Sequence, residues 1–228
     1  MSCDEWISHS VHGKTFADVG GLWGTVNEKV SVAARAGARE TTMIDITPPD
    51  HEAWAQFYQR CADQGVECGK SITANVDDPG FAEKVGMYDV VHCSGVIYHC
   101  PNPVYTLAQL ASISREILII GSTVIPHHIS NSKGAIAMEE NSALFVPALN
   151  DRQREVITFY LEEVQAKAVG INLPLAEGWS MTDYCPWWYL FTTDYVAGLM
   201  RVCGFGVTET SSVWQGRAAY LLGKRIKM

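Results

Sequence analysis

The chain has 228 residues, 47% of them hydrophobic and 18% charged, with a formal net charge of −8. This balance supports the core of one α/β domain, and it argues against a nucleic-acid groove, which needs clustered Lys and Arg. The seven cysteines, with no Cys-x-x-Cys pair, read as reduced thiols in a cytosolic protein; residues 1–14 hold no apolar signal core, and no apolar run approaches the roughly 20 residues of a membrane span.

Strand-like and helix-like segments alternate along the chain, the signature of a mostly parallel sheet with helices on both faces. A short apolar strand over 15–19 runs into glycines, with no more than a polar stretch before it. A helix over 25–36 places Val26, Val30, Ala33 and Ala34 on one face, and Gly37 can close it. A second strand covers 41–46. Pro48, Pro49 and Asp50 then open a helix on which Trp54, Phe57, Tyr58 and Cys61 share a face. A third strand over 70–76, a short helix over 81–85 and a fourth strand over 88–93 follow. Pro101-Asn102-Pro103 starts a helix carrying Leu107, Leu110 and Ile113, and the apolar run over 116–121 is the clearest buried strand.

The rhythm breaks over 122–190, which is too long for a crossover connection. It holds one helix, 151–169, and an aromatic-rich loop with Trp179, Tyr184, Trp187, Trp188 and Tyr189. Long segments of this kind in compact domains are usually functional, so it is read as an insertion covering a site. A helix over 193–203 and two strands over 207–212 and 217–225, joined near Gln215-Gly216, complete a single domain spanning 1–228.

The first strand ends in Asp18-Val19-Gly20-Gly21-Leu22-Trp23-Gly24. A glycine-rich strand-to-helix turn lets a ligand approach the backbone, and equally serves as a tight packed turn. Asp18 can accept from an ammonium group or orient the loop amides. Asp45, ending the second strand, suits bidentate hydrogen bonding to ribose hydroxyls, with a helix cap as the plainer alternative.

These residues resemble the class I S-adenosylmethionine-dependent methyltransferases. The turn is similar to the family's Asp-x-Gly-x-Gly-x-Gly loop, with Leu22 at the middle glycine position. The resemblance implies S-adenosyl-L-methionine held by Asp18, Gly20, Gly21 and Gly24 at its methionine end and by Asp45 at its ribose. It places adenine at Asn75, Val76 and Asp77, with Asn75 or Asp77 giving the side-chain contact, and lines the methionine moiety with the Cys93 and Ser94 backbone. The stretch Tyr88-Asp89-Val90-Val91 through Val96-Ile97-Tyr98-His99 resembles the fourth-strand signature of the group that includes the tRNA wobble-uridine carboxymethyltransferases and small-molecule enzymes. The segment from Trp188 to Tyr195, running on to Gly204 and Phe205, resembles that group's sixth helix and the turn after it. The fold implied is a Rossmann-like seven-stranded, mostly parallel sheet with a lid insertion after the fifth strand.

A sulfonium methyl is already electrophilic, so little catalytic machinery is required beyond positioning and removal of a proton. His99 and His127 are candidate bases and Tyr98 a positioning group or acceptor contact, with packing of the turn before Pro101 as the alternative for Tyr98 and His99. Tyr98, Trp179, Tyr184, Trp187 and Trp188 are candidate walls of an acceptor pocket, or packing for the insertion. No metal is expected, since His127 and His128 would need a carboxylate such as Glu139 or Glu140 as well. The reading is methyl transfer to a small-molecule acceptor, O-methylation foremost. An RNA methyltransferase or a non-catalytic module of the same fold are the alternatives. A nicotinamide dehydrogenase would want Gly-x-Gly-x-x-Gly, which the turn lacks.

Overall fold

The structure is a computed structural model describing residues 1–23, 28–163, 180–182, 184 and 186–226. Seven strands form one sheet in the order β10-β11-β5-β4-β1-β2-β3. They are β1 (Thr15–Val19), β2 (Glu40–Asp45), β3 (Lys70–Thr73), β4 (Tyr88–Ser94), β5 (Ser114–Thr123), β10 (Phe205–Val213) and β11 (Ala218–Arg225). The first five run parallel, while β11 is antiparallel to both β5 and β10.

Side-chain alternation sorts each central strand between two cores, because successive residues of a strand point to opposite faces. Ala17, Val91, Cys93, Leu118 and Ile120 face one core. Helices α4 (Phe81–Val85), α5 (Pro103–Ile113) and α7 (Thr193–Val202) close it with Phe81, Leu107, Leu110, Val196 and Met200. Phe16, Val90, Ile117 and Ile119 face the other side. There α1 (Cys3–Ser10) and α2 (Val30–Arg35) cover them, and α3 (Glu52–Asp63) packs Trp54 and Phe57 on Met43.

Helix α1 departs from the sequence reading, which had only a polar stretch before the first strand. Ser2 and Glu5 form a reciprocal capping box, each side chain bonded to the other's backbone N–H. Trp6 and Ile7 are buried, and the Trp6 indole N–H donates to Glu209 of β10 at 2.8 Å. On α3, Trp54, Phe57 and Cys61 are buried as expected, but Tyr58 is 45% exposed and lies outside the inward face. The third strand stops at Thr73 because Asn75 turns the chain, its side-chain oxygen accepting from the Asp77 N–H at 3.0 Å. The helix expected over 25–36 is shorter, Val30–Arg35, with Glu28 and Lys29 outside it and Lys29 at its N-cap; residues 24–27 lie outside the described residues.

The segment after β5 carries more order than one helix and a loop. Strands β6 (His128–Asn131) and β7 (Gly134–Ala137) form a hairpin, and β8 (Ala143–Phe145) pairs with β9 (Tyr189–Phe191). Helix α6 (Asp151–Glu162) is the described part of the helix expected over 151–169. Buried Arg154 ties α6 to the preceding turn, donating to the Val146 and Leu149 carbonyls. Ile129, Ile136, Val146, Val156, Ile157 and Trp187 join the same core as β4 and β5, so this segment packs as part of the domain body. The six cysteines among the described residues are free thiols, and no helix there is long and apolar enough to cross a membrane.

Candidate functional site

The C-terminal ends of β1, β2, β3 and β4 meet where the strand order reverses around β1, the position at which open α/β sheets bind ligands. At this edge β1 leaves the sheet through Gly20, which has φ +76 and donates its N–H to the Ile44 carbonyl at 2.8 Å. A side chain at Gly20 would collide with Val96, and one at Gly21 would collide with the Asp18 carboxylate. Leu22, at the middle glycine position of the resemblance, is 1% exposed and anchors the turn in the core with Val30, Met43 and Phe57. Its carbonyl accepts from Arg60 at 3.2 Å and its N–H donates to Asp45 Oδ2 at 3.4 Å. The turn is thereby tied to the end of β2. Gly24 lies outside the described residues.

Asp18 is wholly buried, and both carboxylate oxygens have partners within the chain. Oδ2 accepts the Lys29 N–H at 2.6 Å, which closes the turn, and Oδ1 meets His92 Nδ1 at 2.8 Å. The register explains the pair, since Asp18 and His92 stand opposite each other on β1 and β4. Burial alone would push the His92 pKa down, but the Asp18 charge outweighs it, and the ring's pKa stands at about 10. His92 Nε2 has no hydrogen bond of ordinary length, and the Cys3 side chain, carried in by α1, adds to the stabilisation of the ring's charge.

Asp45 is 2% exposed, and burial raises its pKa. Oδ1 accepts from the Thr47 N–H and hydroxyl at 2.9 and 2.6 Å, and among the described residues Oδ2 takes only the long bond from Leu22. A carboxylate offers about four acceptor positions, so one remains, on Oδ2. This geometry supports one hydroxyl from a diol, and a second would displace Leu22. Beside Asp45 stands Ile46, which is 49% exposed; an apolar residue left open at a ligand-binding edge went unnoticed in the sequence, where nothing marks it.

On β3's side, the Asn75 amide donates to the Tyr184 hydroxyl at 3.2 Å, and Asp77 accepts from the Thr106 hydroxyl at 2.6 Å. Burial is the largest influence on Asp77 and raises its pKa. Val76 is buried. Cys93 and Ser94 end β4 and are buried, with the Gly95 N–H bonded back to the Gly121 carbonyl.

After β4, Tyr98 and His99 form a cluster with Trp187. The Tyr98 ring centroid lies 4.5 Å from His99 and 4.6 Å from Trp187. His99 Nδ1 is 3.1 Å from the Pro186 carbonyl, which can only accept, so Nδ1 carries a proton and the neutral ring's lone pair sits on Nε2. Burial raises the Tyr98 pKa to about 12. Trp187 and Trp188 are 2% and 4% exposed; the Trp188 ring stacks near Phe145, and its backbone N–H donates to the Tyr98 carbonyl at 2.8 Å. Tyr184 meets the side chains of Asn75 and Asp77. His127 and His128 are exposed at the start of β6, and Trp179 lies outside the described residues. Among the described residues no three His, Cys, Asp or Glu side chains converge as metal ligands.

A recess of about 580 Å³ opens at the opposite, N-terminal edge, lined in part by Glu40, Thr41, Gly69 and Lys70. It is wide and solvated, and it touches neither the glycine turn nor Asp45.

No protein-family model matches the sequence, and no curated protein does. Solved structures do match over nearly the whole chain. One is magnesium protoporphyrin IX methyltransferase from Synechocystis with bound S-adenosylhomocysteine, at 17% identity and TM-score 0.55, covering 97% of this chain and 80% of that one. Another is an O-methyltransferase family protein from Burkholderia thailandensis, at 15% identity and TM-score 0.59, covering 97% and 53%. A third is the Burkholderia thailandensis 1,6-didemethyltoxoflavin N1-methyltransferase, at 13% identity and TM-score 0.52, covering 98% and 78%. The chain has the fold of the class I S-adenosylmethionine-dependent methyltransferases.

Proposed function

We propose that this chain is an S-adenosyl-L-methionine-dependent methyltransferase acting on a small-molecule acceptor. The observation that carries the reading is the joint at the strand-order reversal: a glycine turn held by its Leu22 N–H to Asp45, with Asp45 keeping one acceptor position and Ile46 open beside it. The structural neighbours named above, two of them crystallised with S-adenosylhomocysteine, support the same cofactor.

When bound, the cofactor supplies a methyl group on a positively charged sulfur, open to attack by an acceptor lone pair. The residues of this chain have distinct tasks around it. Asp45 accepts a ribose hydroxyl. Gly20 and Gly21 bring backbone close to the methionine end, and Asp18 keeps that turn in shape through Lys29 and His92. Ile46 offers an apolar surface to the purine. Asn75, Val76 and Asp77 meet the adenine edge, and Cys93 and Ser94 line the methionine moiety through their backbone. Transfer to a hydroxyl oxygen is the finer form of the proposal. The acceptor's proton then leaves, and His99 is the candidate base of this cluster. Tyr98, Tyr184, Trp187 and Trp188 exclude water from the acceptor side, and His127 is a second candidate base. Free thiols suit a cytoplasmic enzyme.

Ile46 gives a clean test, because its side chain already faces water. Ile46→Asp leaves the melting temperature within a degree or so, since exposed substitutions away from special features are nearly neutral. It weakens S-adenosylhomocysteine binding about tenfold or more by placing charge where the purine packs. Equal affinity in the variant would move the purine away from this edge.

A further inference from the structure

A second cavity lies beside the cofactor edge, between the ends of β4 and β5 and the β10–β11 hairpin. Its volume is about 140 Å³. Ser94, Tyr98, Ser122, Thr123 and Tyr220 line it with hydroxyls, and Trp214 stands at its mouth, 44% exposed. No Asp, Glu, Lys, Arg or His side chain lines it among the described residues; His99 stands behind the lining, its ring centroid 4.5 Å from that of Tyr98, so a proton from a ring held here reaches His99 by way of the Tyr98 hydroxyl or a water.

Particular features of the sequence build this cavity. Tyr220 lies opposite Gly121 on the neighbouring strand. A side chain at Gly121 would run into both the Tyr220 ring and the Ser94 hydroxyl, so the bare glycine is what lets Tyr220 reach across β5 toward Ser94. The two hydroxyls stand 3.4 Å apart. At the hairpin, Trp214 and Gln215 have φ of 50° and 55° and are the non-glycine residues in the left-handed region among the described residues. Side-chain-bearing residues adopt that region rarely, and when they do the site is often functional. This turn carries Trp214, one of the residues that line the cavity.

We infer that this cavity is the acceptor site, and that the acceptor is an uncharged single-ring compound bearing a hydroxyl or carbonyl group. The inference rests on the methyltransferase reading for the word acceptor. The ring-binding chemistry stands on the cavity alone. The volume sets the size, since an apolar cavity of about 150 Å³ holds one benzene ring. The lining sets the charge: a buried carboxylate or ammonium needs an opposite charge, and none is there. Ser94 donates to the Tyr220 hydroxyl, Ser122 donates to the Thr123 carbonyl, and Tyr98 bonds to the Thr123 side chain, so the hydroxyls of Tyr220 and of the Tyr98–Thr123 pair are the groups that meet a neutral hydroxyl or carbonyl. Burial raises the pKa values of Tyr98 and Tyr220, so both phenols remain protonated donors at neutral pH. Ser94 belongs both to this lining and to the proposed cofactor edge, which brings a ring here next to the methyl donor.

The probe is phenol, with benzoate and benzylammonium as charged analogues of similar size. Each is titrated against the full chain by amide-resolved NMR, with and without S-adenosylhomocysteine. Phenol is expected to shift the amides at 94–95, 122–123 and 213–220, and to bind at least tenfold more tightly than either charged ring. Trp214→Gly is expected to weaken phenol at least threefold without lowering the melting temperature, because glycine accepts the positive φ and only the ring is lost. Charged rings binding as well as phenol, shifts confined to another region, no phenol binding, or unchanged binding in the variant each overturn the proposal. Phenol bound here with no adenosyl ligand bound anywhere leaves a ring-binding site and sinks the methyltransferase reading. The reverse result sinks this inference alone.

Discussion

Replacing Asp18 with alanine lowers the free energy of unfolding by about 3–5 kcal/mol, the usual loss when one partner of a buried ion pair is removed and the other is left uncompensated. The pair is enclosed by β1 and β4, with His92 and Asp18 both at 0% exposure, and the Tyr220 ring stacks beside His92 at 6.3 Å. Its pH signature separates this origin from plain loss of packing. The folded pKa of His92, about 10, lies above the ordinary histidine value of roughly 6.5. Protonation therefore favours the folded state. That stabilisation is complete below pH ~6.5 and drains away as pH rises toward 10. The buried thiols of Cys93 and Cys100, whose pKa values burial also raises, add their own loss in alkali, because the unfolded chain ionises them first. Comparing the two proteins removes that background. Denaturant unfolding of both proteins between pH 6 and 10, the window this shift defines, should show a steeper fall for the native sequence. Parallel profiles would mean that His92 is neutral in the fold.

The second large effect concerns α1. Trp6 is 2% exposed and its indole N–H reaches Glu209 across the sheet. Trp6→Ala removes a buried aromatic and leaves a cavity against Ile117 and Leu222 of the same core, costing about 3–5 kcal/mol. For a chain of this size each kcal/mol moves the melting temperature by about 2–4 °C. Trp6→Phe keeps most of the volume and loses the hydrogen bond to a charged acceptor, so its cost is about 1–3 kcal/mol. A loss below about 1 kcal/mol in the alanine variant would show that α1 does not dock in solution.

Much of the main sheet was legible because its strands are buried on both faces and read as apolar runs between glycine and proline breaks, as in β1, β4 and β5. Helix α1 was not, although Ser2 and Glu5 form its capping box. Its buried face is only Cys3, Trp6 and Ile7, too few to show a helical period among Asp4, Glu5, Ser8 and His9. Strands β6 to β9 are three or four residues long, and β8 pairs with β9 across a wide sequence gap, so their stability comes from tertiary contact and leaves little local trace. The acids of the candidate site stood out by position. What they bond to did not. The Asp18–His92 pair needs the β1–β4 register, and the Asp45–Leu22 bond needs the turn to fold back on β2. Leu22 looks like a departure from a glycine pattern until its side chain is seen filling the core under α3. Ile46 carries no mark in the sequence, because only the folded edge leaves it exposed.

The central claim is that an adenosyl cofactor binds where the glycine turn meets Asp45, and calorimetric titration with S-adenosylhomocysteine tests it most directly. Asp45→Asn is the comparison, since an amide oxygen still accepts from Thr47 while its second atom no longer accepts, and NAD is the control ligand. The account predicts micromolar binding to the native sequence, at least a tenfold loss in the variant, about 1.4 kcal/mol, and no heat from NAD. No binding of S-adenosylhomocysteine to a folded native chain would contradict it and leave a non-catalytic module of the same fold, and binding of NAD alone would turn the site over to a nicotinamide cofactor.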